Sequence, residues 1–249
     1  AHTEAMRALA YVVAASMDIA HRHPDREERM RNQAFADFMI PVVKGWSTET
    51  GIEMASLGIQ VHGGMGYIEE TGAAQHLRDA RIATIYEGTT GIQANDLIGR
   101  KLAREGGATA KVVVQMIRAV EAELAHDGGT ELTAIRESLS RGTSALAACA
   151  EWIAGNYKAD IKAVHAGAVP FLKLTGIVCG GWQMARAALV AKRKLDSIAK
   201  GGVGDAAFYQ AKIGTALFYA DHVLSQAGGL RETVLHGARG VMALAEEQF

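Results

Sequence analysis

Met6-Arg7-Ala8-Leu9-Ala10-Tyr11-Val12-Val13-Ala14-Ala15-Ser16-Met17-Asp18-Ile19-Ala20 decides the fold class. Met6, Leu9, Ala10, Val13, Met17 and Ala20 recur at three- and four-residue steps, the period of one helical face and not of a strand. The pattern covers His2 to His21 and stops at His23-Pro24, because proline disfavours helix in the residue before it. Asp25 opens a second, longer helix, with Glu27 and Glu28 suited to its first turn. Its apolar positions are Phe35, Phe38, Met39, Val42, Val43 and Trp46, continuing to Met54 and Leu57, and Pro41 is expected to bend it. The whole chain extends this reading. Its 249 residues include 45 alanines and only three prolines, Pro24, Pro41 and Pro170. Alanine is the best helix former, and proline costs a helix interior about 3 kcal/mol. An all-α protein is expected, not a Pro/Gly-punctuated sandwich or barrel.

The composition excludes several functions. With 26 Lys+Arg against 27 Asp+Glu the net charge is −1, which offers no global field for nucleic acid. No Lys/Arg-rich run is dense enough to bind an anionic membrane. The longest uncharged apolar run, Leu174 to Ala185, is glycine-interrupted and too short for a membrane span. Cys149 and Cys179 are too few for a disulfide scaffold, and a reduced cytoplasmic compartment is expected. His165, His222 and His236 are scattered without the spacing of a zinc site, so no metal is expected. The chain opens Ala1-His2-Thr3-Glu4 with neither an initiator Met nor a cap, as if entering mid-helix. This suggests a piece of a longer protein.

The helical pattern breaks twice within the first hundred residues. Gln60-Val61-His62-Gly63-Gly64-Met65-Gly66-Tyr67 clusters glycines into a loop able to take positive φ. Its bare N–H groups could approach an anion, although no strand precedes it as a dinucleotide fingerprint requires. Thr71 to Ile82 reads as a short helix. Tyr86-Glu87-Gly88-Thr89-Thr90 is the second break, with Thr89 or Thr90 capping a helix to Leu102. Taken singly, a glycine turn and a capping carboxylate are the bland readings of these loops. The sharper one is a general base at a pocket edge. Beyond a hinge at Gly106-Gly107, helices are expected over Thr109–His126, Thr130–Gly155, Ile161–Lys200 and Asp205–Gln226, with a short helix-like tail from Leu230. Gly128-Gly129, Gly201-Gly202 and Gly228-Gly229 punctuate an antiparallel bundle. Gly180-Gly181 inside one helix reads either as close helix–helix approach or as a tolerated kink. Lys192-Arg193-Lys194 reads as a solvated face.

Together the two breaks carry a resemblance. Gln60-Val-His-Gly-Gly-Met-Gly-Tyr67, Leu77-Arg78-Asp79-Ala80 and Tyr86-Glu87-Gly88-Thr89-Thr90-Gly91-Ile92-Gln93 occur in this order at tight spacing. This resembles the C-terminal helical domain of the acyl-CoA dehydrogenases over roughly Leu9 to Leu102. Gly91 departs from the bulkier residue often found there. Val61 to Gln75 and Arg100-Lys101-Leu102 are similar to a larger bacterial branch that includes enzymes acting on 3-methylmercaptopropionyl-CoA. That branch carries an extra C-terminal helical domain, and Phe249 resembles its natural end. The resemblance implies two modules, residues 1–105 as the family's C-terminal helical bundle and residues 108–249 as a second antiparallel bundle.

The resemblance also implies chemistry. The family oxidises an acyl-CoA thioester to its trans-2-enoyl-CoA with FAD, commonly passing electrons to an electron-transfer flavoprotein. Glu87 would be the base that takes the α-proton, and its own N–H would face the thioester oxygen. A carboxylate in water is a poor base for so weak an acid, so the implied site must exclude water. Tyr86, Glu87 and Gly88 would meet substrate. Thr89 and Gln93 would contact FAD, and Gln60, Gly63 and Gly64 would lie near the diphosphate of an FAD held mainly by a partner subunit. Arg78 and Asp79 are expected to form a structural ion pair. A homo-oligomer, dimer or tetramer, is implied. The family's N-terminal helical domain, its middle β-domain and an Arg-x-x-Phe-Gly segment have no counterpart in these 249 residues. The chain alone is therefore expected neither to oxidise acyl-CoA nor to hold FAD tightly. The alternative is a helical oligomerisation or partner-binding module of the same fold without activity.

Overall fold

In the computed structural model, which describes residues 1–241 and 243–248, the chain is helical and among the described residues has no strand. Phe249 lies outside the described residues. Helix α1 (His2–Arg22) pairs with the long α2 (Arg26–His62), which runs through Pro41 without a break. Asp25 caps α2, its carboxylate accepting from the Glu27 N–H at 2.8 Å. The buried row of α1 is Ala5, Leu9, Val13 and Ser16, while Met17 is exposed. This row is rotated from the one expected at Met6, Leu9, Val13 and Met17. Periodicity fixes the helix, but the partner selects the face, and the small Ala5 and Ser16 allow close approach.

One turn, α3 (Gly64–Tyr67), follows α2 where an open loop was expected. The Gly66 N–H donates to the Gly63 carbonyl at 2.9 Å, and the Thr71 hydroxyl donates to the Met65 carbonyl at 2.6 Å. Gly72 then enters α4 (Ala73–Ile82) with φ +77°. After the second loop come α5 (Thr90–Asp96) and a π-helical stretch, Leu97–Leu102. Gly106 and Gly107 both have positive φ, 61° and 80°, and turn the chain into α6 (Ala108–Asp127). Gly128-Gly129 closes the hairpin to α7 (Thr130–Asn156).

The helix expected over Ile161–Lys200 is two, α8 (Ile161–Ala166) and α9 (Ala168–Ala199). Gly167, with φ −86° and ψ 1°, separates them, and a Cβ there would lie 3.3 Å from the Val234 backbone. Pro170 falls in the first turn of α9, where a missing N–H costs nothing. The chain ends with α10 (Ala206–His222), α11 (Ala227–His236) and the short α12 (Ala238–Val241). The break expected at Gly228-Gly229 falls slightly earlier, over residues 223–226, and the two glycines lie in the first turn of α11, which packs on α7 and α9. Ala227 and Val234 of α11 are buried.

Helix α9 is the axis of the molecule. It packs against α1, α2 and α5 on one side and α6, α7, α10 and α11 on the other. One buried cluster accordingly runs from Ala5 and Leu9 through Trp46 and Trp182 to Val234. From Phe171 to Leu189 nearly every residue of α9 is buried, as expected of a helix apolar on all sides. Its glycines are sockets. A Cβ on Gly176 would fall inside the indole of Trp46, and one on Gly180 would meet Trp46 Cη2 at 2.7 Å and Tyr219 Oη at 2.5 Å. One on Gly181 would meet Leu224 at 2.7 Å. The close approach expected of Gly180-Gly181 is thus real. Tyr219 donates its hydroxyl to the Ile177 carbonyl at 3.0 Å, and burial raises its pKa well above the ordinary value.

Among the described residues no helix is long and apolar enough to cross a membrane, and no group of three or more His, Cys, Asp or Glu could hold a metal. Cys149 and Cys179 are free and buried, and burial pushes both thiols up to about 12. The thiolate is the reactive form. At pH 8 the folded chain is expected to resist an alkylating reagent at both sites, whereas guanidinium-unfolded chain takes two labels, counted by mass. Arg193 of the basic run donates to Glu123 and Asp127, each at 2.9 Å, so that run is partly spent on ion pairs.

Candidate active site

The two glycine loops are held by the same helix at different heights. The first is the C-terminal end of α2. Gly63 has φ 61° and ψ −144°, a conformation that only glycine adopts readily. Its N–H donates to the Gln60 carbonyl at 3.1 Å. Nothing lies within 4 Å of where side chains on Gly63 or Gly64 would begin. That backbone is therefore open to an approaching group. Gln60 is exposed beside it.

The second loop leaves α4 through a tight turn, with Ile85 and Tyr86 N–H groups donating to the Ile82 carbonyl at 2.9 and 3.1 Å. Thr84, buried, accepts from Arg81 at 2.6 Å and takes the Thr90 N–H on its carbonyl at 3.2 Å. Thr89 caps α5 through the Ile92 N–H at 3.3 Å. Between these anchors stands Glu87, whose φ of 52° is the only positive value at a non-glycine residue among those described. Such conformations cost on the order of 1–3 kcal/mol and cluster at functional sites. Gly88 follows with φ 87°, and a Cβ there would lie 2.9 Å from Gln93 Nε2. Among the described residues the Glu87 N–H has no hydrogen-bond acceptor.

Three side chains tie the loop down. Gln93 Nε2 donates to the Glu87 carbonyl at 3.1 Å. Lys44, on α2, donates from Nζ to the Gly88 carbonyl at 2.6 Å. The Thr90 hydroxyl donates to Glu49 Oε1, also on α2, at 2.5 Å. Lys44 and Glu49 escaped sequence reading because they act across 44 and 41 residues, and no local motif marks them. A groove of about 540 Å³ opens beside this clamp, with Trp46 and Leu172 among its lining and Glu49, Glu53, Thr90 and Lys173 supplying polar groups.

The structure brings Tyr86, Glu87, Gly88 and Thr89 into one loop, with Gln93 of α5 bonded back to it. It leaves Gln60, Gly63 and Gly64 at and just beyond the far end of α2. At 1.5 Å per residue, Gln60 lies roughly 16–24 Å from Glu49 and Lys44. Arg78 and Asp79 do not pair with each other. Neighbours in a helix point apart, so Arg78 reaches Gln75 at 2.9 Å and Glu69 at 3.6 Å, and Asp79 accepts from Gln75 at 2.7 Å.

Comparison with known proteins gives a family. The model described as "Acyl-CoA dehydrogenase, C-terminal domain" matches residues 1–102. The one described as "Acetyl-CoA dehydrogenase C-terminal like" matches residues 113–245, more than half of the chain. The chain is 49% identical to the 3-methylmercaptopropionyl-CoA dehydrogenase of Ruegeria pomeroyi, over 89% of this chain and 37% of that protein. It is 33% identical to the broad-specificity linear acyl-CoA dehydrogenase FadE5 of Mycobacterium tuberculosis, over 86% of this chain and 35% of that one. It thus spans little more than a third of these relatives' length. A crystal structure of a Bacillus anthracis acyl-CoA dehydrogenase complexed with FAD shares the fold, with TM-score 0.64 at 17% identity over 99% of this chain and 41% of that one. On the two family models, the chain belongs to the acyl-CoA dehydrogenase family.

Proposed function

We propose that these residues form the C-terminal part of an FAD-dependent dehydrogenase that oxidises an acyl-CoA thioester to its trans-2-enoyl-CoA, with Glu87 as the base. The observation that carries this reading is the conformation of Glu87. It is a carboxylate in a backbone region that ordinary side chains avoid, and its two flanking turns and three clamping side chains hold it there. A cap or a dipole partner needs no such arrangement.

The residues present suit a flavin. Gly63 and Gly64 offer open backbone, with the Gln60 amide beside them. In this reading they face the diphosphate of an FAD belonging to a second subunit, and Thr89 faces one nearer Glu87. The separation of roughly 16–24 Å along α2 supports two distinct contacts. When bound, FAD supplies the acceptor for the β-hydride. The protein's part is the other half of the oxidation. The Glu87 carboxylate accepts the α-proton, and its unpaired N–H donates to the thioester oxygen as negative charge develops there. Tyr86, half-exposed, and Gly88 flank the bound acyl group.

Glu87 is exposed here, whereas the chemistry needs a water-excluded carboxylate. Further domains and the substrate would cover it. Residues 1–105 and 108–249 are two modules in this proposal, supported by the separate ranges of the family models. A homo-oligomer, dimer or tetramer, is supported by apolar side chains around the first loop: Leu57, Val61, Met65 and Tyr67 are 51–85% exposed. An electron-transfer flavoprotein would reoxidise the flavin, in the cytoplasm.

Two measurements test the proposal. The chain alone, mixed with FAD and an acyl-CoA under anaerobic conditions, is expected to leave the flavin absorbance unchanged; robust bleaching would show that the site needs nothing more. Glu87→Gln in the complete enzyme tests the base itself.

A further inference from the structure

Lys44 is half-buried on α2, 43 residues before the carboxylate read as the base, and local sequence gives it no role. Its ammonium lies 2.6 Å from the Gly88 carbonyl and 6.0 Å from the centre of the Tyr86 ring. The loop's backbone has few other holds at this point. Glu87 and Gly88 form two successive positive-φ residues, at 52° and 87°. The planes of the peptides on either side of Gly88 set its conformation, and the first of them, with the 86–87 peptide, sets that of Glu87. The first plane is fixed where Gln93 Nε2 holds the Glu87 carbonyl at 3.1 Å. The second is fixed where Lys44 holds the Gly88 carbonyl. Each carbonyl has one captor, and the captors come from different helices, α5 and α2.

We propose that Lys44 is a positioning residue for the dehydrogenation: by capturing the Gly88 carbonyl it keeps Glu87 in its left-handed conformation, with carboxylate and N–H aimed at one substrate. The inference rests on the reading of Glu87 as the base. The contact is charge-assisted and short, and such hydrogen bonds are about twice as strong as neutral ones. A neutral donor holds the same carbonyl less firmly, and an apolar side chain leaves it to water. Released from Lys44, the 88–89 peptide can turn, and Glu87 relaxes toward negative φ, away from the reacting carbon. Misplacing a catalytic group by about 1 Å costs roughly 100-fold in rate.

The test uses the complete enzyme as holoprotein. Lys44→Met, Lys44→Gln and Lys44→Arg are compared with Glu87→Gln for kcat, KM, bound flavin and α-proton exchange from substrate in D2O. Lys44→Met is expected to lower kcat and proton exchange together by roughly 10–100-fold, with KM and flavin content little changed. Lys44→Arg is expected to restore most of the loss and Lys44→Gln less. If Lys44→Met does not accumulate as holoprotein, Lys44→Gln is judged by the same criterion. Parent-like kcat and exchange per bound flavin, beside an inactive Glu87→Gln, would overturn the role of Lys44 and leave Glu87 standing. A loss wholly accounted for by missing flavin would overturn it too. An active Glu87→Gln would remove the reading beneath both.

Discussion

Glu87→Gln in the complete enzyme is expected to lower the rate of flavin reduction by acyl-CoA by about 100- to 10,000-fold, the usual contribution of a positioned general base. Glutamine keeps the shape and length of the side chain but cannot accept the α-proton. Little else should change. The Glu87 carboxylate makes no hydrogen bond or ion pair among the described residues; only its backbone carbonyl is engaged, by Gln93. Thermal stability and flavin content should therefore match the parent. Glu87→Gly sharpens the comparison. It removes the carboxylate while relieving the cost of a φ of 52°. An inactive protein at least as stable as the parent is expected. Anaerobic stopped-flow bleaching is the measurement, and a parent-like rate for Glu87→Gln would assign the base elsewhere. It would also favour the alternative of a helical module that keeps the fold without the chemistry.

Gly176→Ala is expected to destabilise the protein by about 3 kcal/mol, the upper part of the range for overpacking a filled core. The added methyl falls inside the indole of Trp46. Trp46 is 3% exposed, with Met39 and Val42 of the same helix buried near it. The clash can be relieved only by parting α2 from α9. For a chain of this length the loss corresponds to a fall in melting midpoint of roughly 6–12 °C. Gly214→Ala is the matched control. Gly214 lies in α10 with nothing within 4 Å of a new Cβ, so only helix propensity acts, in favour of alanine by up to about 1 kcal/mol. The same substitution should thus move the two midpoints in opposite directions. Equal shifts would mean that the Trp46 contact is not tight.

How much of this could be read from the chain follows the range of each interaction. The helices were legible because their signals are local: the apolar period of α1, Asp25 before α2, and the glycine pair closing α6. Thr89 as a cap depends on a partner three residues away. The loops that bear Gln60, Gly63, Gly64 and Glu87 were visible from their glycines. The break at Gly167 was not, and the Val234 backbone that crowds it comes from 67 residues later. Gly228-Gly229 marked the α10–α11 break to within a few residues, the glycines lying just inside the start of α11. At the candidate site the residues of the loop were legible but its fastening was not. Lys44 and Glu49 reach it from α2, and nothing in their neighbourhood distinguishes them from other charges on a helix. The expected Arg78–Asp79 pair failed on geometry, because adjacency in sequence is not adjacency on a helix surface.

Helix α9 belongs to the stretch matched by one family model, yet its glycine sockets hold Trp46 from the stretch matched by the other. The two segments therefore share one melting event. A gene cut at Gly106-Gly107 would leave the first half with an open slot where α9 had been, and Trp46 and Phe35 without their α9 partners. Strain introduced at the α9 sockets meets Trp46, on the same helix that carries Lys44 and Glu49. Substitutions at the α9 sockets, far from Glu87 in sequence, are thus expected to loosen the clamp on its loop without touching the loop itself.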